Sequence, residues 1–125
     1  MGFTPLAGIM MGTRSGDVDP SIIPYVMEQE GLNASEVVNA LNKKSGLLGL
    51  SEKSSDMRDI IASVNEGDEQ AKLAFNKYVR TITDYIAKYY VLLNGADVIC
   101  FTAGVGENSI PVRKAVCENL KCLGI

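Results

Sequence analysis

The sequence predicts an α/β segment, predominantly helical, with one buried strand at about 97–102. Three observations carry that reading. Val98-Ile99-Cys100-Phe101 is apolar at every position and runs directly into Thr102-Ala103-Gly104-Val105-Gly106-Glu107-Asn108-Ser109, a small-residue turn followed by helical periodicity. Between 68 and 93, Ala71, Phe75, Tyr78, Ile82, Tyr85, Tyr89 and Leu92 recur in steps of four and three. Elsewhere, cap residues and glycine stops divide the chain into short helices.

Residues 3–19 combine Thr, Pro, Gly and Met without a period and read as turns or a brief helix. Asp19-Pro20 has the form of an N-cap and first-turn proline. Pro24 removes a further donor, so the regular helix is placed nearer Pro24 and ended at Gly31. Asn33 and Glu36 stand at capping-box spacing, and Val37, Val38 and Leu41 share one face of a helix that stops near Gly46. Leu47-Leu48-Gly49-Leu50 reads as a short apolar connection. Ser54 to Asp59 offers serine caps and an acidic first turn for a helix to about Val64; Gly67 ends it and Asp68 caps the next.

The stripe of the long helix lasts only three heptads and includes tyrosines. Val79, Ile86 and Tyr90 broaden it into a core-facing band, which argues against a coiled coil. Asn94-Gly95 closes that helix. A strand apolar at each position is expected to be covered on both faces, as in a parallel sheet. No second strand is visible to pair with it, so the chain reads as part of a larger protein, as does its opening Met1-Gly2-Phe3-Thr4-Pro5. The last helix runs from about Ile110 to Lys121, with Pro111 in its first turn and Val112, Val116 and Leu120 inward.

The 125 residues suffice for one modest domain but are few for an enzyme that must enclose two substrates. Hydrophobic content of 46% with 22% charged residues belongs to an ordinary soluble protein. A net charge of -3, with basic residues only in pairs such as Lys43-Lys44 and Arg113-Lys114, argues against nucleic acid as a partner. No apolar stretch reaches the roughly 18 residues of a membrane span, and no secretory leader opens the chain. There is no histidine, which excludes Ser-His, Cys-His and His-metal chemistry within this chain. Cys100 reads as a small core residue; Cys117 and Cys122 read as packing, in a reducing cytoplasm.

A strand, a glycine turn and a helix bring backbone N–H groups close to a nucleotide. Gly104 and Gly106 can take φ > 0 and carry no Cβ to hold a ligand away. The pattern is neither the dinucleotide fingerprint, because Ser109 stands at the third glycine, nor a Walker loop. By itself such a pattern is more often an ordinary βα turn. A second cluster, Gly12-Thr13-Arg14-Ser15-Gly16-Asp17-Val18-Asp19-Pro20, sets an arginine between glycines. A planar fork of donors suits the oxygens of a transferring phosphoryl group. Alternatively, Arg14 pairs locally with Asp17 or Asp19.

Together three stretches resemble the acetate kinase (acetokinase) family: Thr4 through Pro20; Lys44-Ser45-Gly46-Leu47-Leu48-Gly49 with Ser55-Asp56-Met57-Arg58-Asp59; and Phe101 through Ser109. Their order is right and the resemblance spans the chain. It extends to the related propionate and butyrate kinases. The resemblance implies reversible transfer of the γ-phosphoryl group of ATP to acetate, giving acetyl phosphate and ADP, with Mg²⁺. It implies a cytoplasmic homodimer with the two-domain, actin-like and sugar-kinase-like (ribonuclease H-like) fold. Residues 1–125 would be a middle-to-C-terminal fragment within the second, nucleotide-binding domain. The first domain and the C-terminal end would be absent.

By that likeness Arg14 is the transition-state stabiliser. Asp56, Met57 and Arg58 match a nucleotide-contact segment, and Gly104, Val105, Gly106, Glu107 and Asn108 the nucleotide loop. Asp56 could instead serve only its own helix, and Glu107 could be only a solvated loop residue. The family's acidic catalytic residue, histidines, acid-binding arginine and metal-binding glutamate are expected outside the chain. No metal ligand is therefore assigned, Glu107 and Asp17 included. The acid stays open, and the chain alone is expected to be inactive. The competing reading is a non-catalytic helical interaction module presenting the tyrosines of the long helix.

Overall fold

A computed structural model describes residues 1–124, and among them every regular element is helical: α1 (Ile22–Glu30), α2 (Ala34–Lys43), α3 (Gly46–Ser51), α4 (Met57–Asn65), α5 (Glu69–Leu92), α6 (Ala103–Asn108) and α7 (Ile110–Asn119), closed by a 3₁₀ turn at Lys121–Leu123. The spine is α5, whose 24 residues extend for about 36 Å. It starts at Asp68, whose carboxylate accepts from the N–H groups of Gln70 and Ala71. Helices α3, α4 and α7 pack along it. The core gathers Leu47 of α3, Met57 and Ile60 of α4, Ala71, Ala74, Tyr78 and Val79 of α5, and Val112, Val116 and Leu120 at and beyond α7. Met10, from the irregular first segment, is buried among them.

Helices α1 and α2 form a hairpin beside this core, and α1 buries no residue fully. The capping box at Asn33 and Glu36 is formed in both directions, and Gly31 ends α1 in the left-handed region. Helix α1 begins at Ile22, earlier than expected. Pro24 then falls in the first turn, where its missing N–H removes no intrahelical bond.

The expected strand at 97–102 is not formed: among the described residues there is no strand. The backbone there joins no ladder, and Val98 is 74% exposed. Extended geometry becomes a strand only when a neighbour accepts and donates along the ladder, and no described segment lies in register to do so. Cys100 is correspondingly exposed rather than a core residue, as are Cys117 and Cys122. The stripe of α5 also stops short: Ala71 and Tyr78 are buried, whereas Tyr89 and Leu92 project into solvent.

Two further elements differ from expectation. Leu47-Leu48-Gly49-Leu50 is part of α3, and Gly104 and Gly106 lie within α6. Neither of those glycines has positive φ; Ala103, at φ 60°, makes the left-handed turn instead.

Candidate functional site

The loop 8–17 is built from two sides. On one, the carbonyls of Met11, Gly12 and Thr13 accept from the N–H groups of Leu47, Leu48 and Ser45 at 2.9–3.0 Å. Ser45 gives α3 no side-chain cap, so the loop itself satisfies the first donors of that helix. The backbone N–H of Ser15 donates to Leu41 O at 2.9 Å, and the Thr13 hydroxyl to Asn42 O at 2.9 Å. On the other side, Gly8 and Asp17 close the neck. Asp17 N–H donates to Gly8 O at 3.0 Å, and Gly8 N–H donates to Asp17 Oδ1 at 2.8 Å. The second carboxylate oxygen accepts the Tyr85 hydroxyl of α5. Those two donors, Tyr85 foremost, hold the Asp17 carboxyl below its ordinary range.

Arg14 stands at the turn of this loop, half-buried, its Nη1 directed back at Met11 Sδ at 3.9 Å. The local pairing with Asp17 or Asp19 does not occur. Asp17 is occupied as described, Asp19 accepts from Ser21 N–H, and no carboxylate among the described residues forms an ion pair with Arg14.

Beside this loop, the start of α4 faces α6 across a hollow of about 760 Å³, a size suited to a small organic ligand. Asp56, Met57 and Arg58 line one wall; Gly104, Val105, Asn108, Ser109 and Pro111 line the other. At Gly104 an added Cβ would meet no atom within 4 Å, so that wall is open to close approach. Helix α6 is short and glycine-rich, and side chains hold it. Asn108 Nδ2 donates to Gly104 O at 2.9 Å, and Arg113 of α7 donates to Gly106 O at 3.0 Å and to the carbonyl of Glu107.

Asp56 serves two roles in this wall. As N-cap of α4 its Oδ1 accepts from Arg58 N–H at 2.9 Å, and its carboxylate also pairs with the Arg58 guanidinium at 2.6 Å. Those contacts, the side-chain one first, hold the Asp56 carboxyl at about 2. The pair leaves the rim near neutral in charge.

A second hollow of about 550 Å³ shares Ser55, Gly104 and Val105 with the first and reaches Met11, Gly12 and Gly106. The structure therefore brings six of the nine sequence-identified residues to one hollow and Gly106 to the adjoining one. Glu107 and the Arg14 side chain line neither. It is the turn that carries Arg14, not its guanidinium, that reaches the shared wall. Gly12 packs against Ser55 there so closely that a Cβ would fall 2.8 Å from Ser55 O.

The model of the acetokinase family matches residues 1–125. The chain belongs to the acetokinase family. It is 56% identical over 125 residues to the acetate kinase of Bacillus cytotoxicus and 54% to that of Bacillus subtilis, covering 100% of this chain and 32% of each relative. Thus it spans about a third of the length of the curated relatives it matches. Among solved structures, the acetate kinase of Porphyromonas gingivalis superposes with a TM-score of 0.95 at 46% identity, over 100% of this chain and 31% of that one. The propionate kinase of Francisella tularensis gives 0.94 at 41%, over 98% of this chain and 32% of that one.

Within this acetokinase-family segment, sequence reasoning missed Ser55, which lines both hollows, and Gly46, which supports the Arg14 loop. Ser55 was legible as the neighbour of Asp56. Gly46 was not, because its need is tertiary. At φ 65° it carries no Cβ, and one placed there would overlap the Met11 carbonyl oxygen and lie 2.8 Å from that of Arg14.

Proposed function

We propose that the protein is the nucleotide-binding portion of an acetate kinase, an enzyme that moves the γ-phosphoryl group of ATP reversibly to acetate, giving acetyl phosphate and ADP. The observation that carries this reading is the meeting of Asp56-Met57-Arg58 with Gly104, Val105 and Asn108 around one hollow. These residues lie in a chain more than half identical, from end to end, to curated acetate kinases. Phosphoryl transfer asks for positioning and for neutralisation of charge on the group in flight. The hollow between α4 and α6 supplies the first for ATP, with Gly104 leaving room beside the backbone and Asn108 bracing α6. Glu107 and Gly106 complete that loop. Arg14 supplies the second: its charge is not cancelled by a described carboxylate, so it is available to the transferring oxygens.

Mg²⁺, when bound, neutralises phosphate charge. Its protein ligands, commonly one or two carboxylates beside substrate phosphates, are taken in this reading to belong to the remainder of the enzyme. In this reading residues 1–125 contribute to the second domain of an actin-like, sugar-kinase-like pair, with the acid entering from the other side of the cleft. The unpaired stretch at 97–102 supports that reading, since it lacks the neighbours a sheet would provide. By the same likeness we take the full-length enzyme to be a cytoplasmic homodimer. All three thiols are free, as a reducing compartment favours. No helix among the described residues is long and apolar enough to cross a membrane.

The test uses the full-length enzyme. Arg14→Ala lowers kcat by about 10³–10⁵ and leaves KM for ATP nearly unchanged; undiminished turnover would remove the role. Gly104→Leu fills the hollow and abolishes ATP binding, an outcome the interaction-module reading does not produce. A propionate kinase is the second reading, favoured by nearly equal superpositions of 0.95 and 0.94 on the two enzyme types. The kcat/KM ratio for acetate over propionate decides between them.

A further inference from the structure

We propose that Asp17 and Tyr85 are positioning residues that set the reach of Arg14, clamping the neck of its loop to the spine helix. This rests on the transition-state role proposed for Arg14. The clamp joins residues 68 positions apart: the Tyr85 hydroxyl donates to Asp17 Oδ2 while Asp17 Oδ1 accepts from Gly8 N–H at 2.8 Å. One carboxylate thus ties both strands of the neck to α5. The Met10 N–H adds a second bond to α5, donating to Thr81 Oγ1 at 3.3 Å, and the Met10 side chain is buried in the core.

The far half of the loop is bonded separately, to α2 and α3. Arg14 therefore sits on a bridge with two abutments: the α2–α3 side rests mainly on backbone bonds, with one from the Thr13 hydroxyl, and the α5 side rests on the side chains of Asp17, Tyr85 and Thr81. The Tyr85 ring is itself steadied by Lys88, whose Nζ lies 4.5 Å from its centroid. Gly16 completes the neck. Its φ is 72°, and a Cβ there would come within 2.6 Å of Gly8 O, so the two strands meet at backbone contact.

Neither Asp17 nor Tyr85 lines the hollow between α4 and α6. Loss of the clamp is therefore expected to appear in kcat and not in KM for ATP. An ångström of misplacement at a reacting centre can cost on the order of 10²-fold in rate.

The experiment is a double-mutant cycle in the full-length enzyme. Asp17→Ala lowers kcat on the order of 10²-fold and Tyr85→Phe about 10-fold, both with KM for ATP within about two-fold of wild type. Asp17→Asn recovers most of what Asp17→Ala loses, because its amide oxygen still accepts from Gly8 and its amino group can donate to the Tyr85 oxygen. In the Arg14→Ala background, Tyr85→Phe and Asp17→Ala cost less than about two-fold further, since the group they position is gone. A loss in that background equal to the loss in wild type would overturn the clamp, showing that it only stabilises the fold. So would full kcat in Tyr85→Phe, which deletes one hydroxyl and keeps the ring packing even where Asp17→Ala fails to fold. Should Arg14→Ala itself retain full turnover, the transition-state role falls first and the clamp with it. An additive cycle on top of a severe Arg14→Ala defect refutes the clamp alone.

Discussion

Asp56 stands in two settings at once. It caps α4, as an ordinary first-turn carboxylate would, and it also lines the hollow. The pairing with Arg58 keeps its carboxyl at about 2 rather than the usual 3.8. Because the folded value lies below the unfolded one, this carboxylate's contribution to stability is present above pH 3.8 and is lost as pH falls through about 2. In a carboxyl ¹³C titration of the full-length protein, Asp56 is expected to stay ionised at pH 3. In Arg58→Ala its midpoint is expected to rise toward 3.8; the same low midpoint without the guanidinium would refute Arg58 as the main cause. Ala103, by contrast, behaves in a way its sequence context does not announce. The two glycines drew attention as the flexible points, but the left-handed conformation falls on the alanine before them, beside the wall of the hollow. A non-glycine residue in that region is uncommon and costs on the order of 1–2 kcal/mol.

Among the elements, two glycines of nearly equal φ separate conformational strain from crowding. Gly31 has φ 64° with no atom within 4 Å of an added Cβ, whereas Gly46 has φ 65° with the Met11 and Arg14 carbonyls in the way. Gly31→Ala is expected to cost only the backbone term, on the order of 1 kcal/mol in denaturant unfolding. Gly46→Ala costs at least about twice that and also lowers kcat, because the Arg14 loop must shift. Equal losses would mean that the loop accommodates the methyl group.

The same contrast explains which elements were legible. The starts of α2 and α5 rest on Asn33, Glu36 and Asp68, local signals that need no distant partner. Helix α3 was hidden because its first donors are satisfied by carbonyls more than thirty residues earlier, at Met11 and Gly12. Helix α6 was hidden because glycine disfavours helix, and here Arg113 and Asn108 override that preference. For the site, residue types and motif order marked Asp56-Met57-Arg58 and the 104–108 loop. That these segments face one another, and that Ser55 joins two hollows, is a matter of packing that no local pattern encodes.

At the scale of the molecule, the described residues supply two facing walls of one hollow, while the Arg14 side chain lines neither that hollow nor its neighbour. Transfer between two substrates needs a site for the acid as well as one for the nucleotide. Residues 1–125 expressed by themselves are therefore expected to form no acetyl phosphate from ATP and acetate above background, and measurable turnover would contradict a cleft shared with the rest of the enzyme. The stretch at 97–102, whose apolar composition suggested a strand, has a further consequence. N–H and C=O groups in no ladder, along an apolar stretch with exposed Leu92, Leu93 and Val98 beside or within it, offer pairing to another extended chain. Separated from its natural cover, this polypeptide should aggregate with rising concentration and develop thioflavin fluorescence, and Val98→Lys should delay it. In a longer enzyme, a neighbouring strand would both complete that stretch and shield it from other chains.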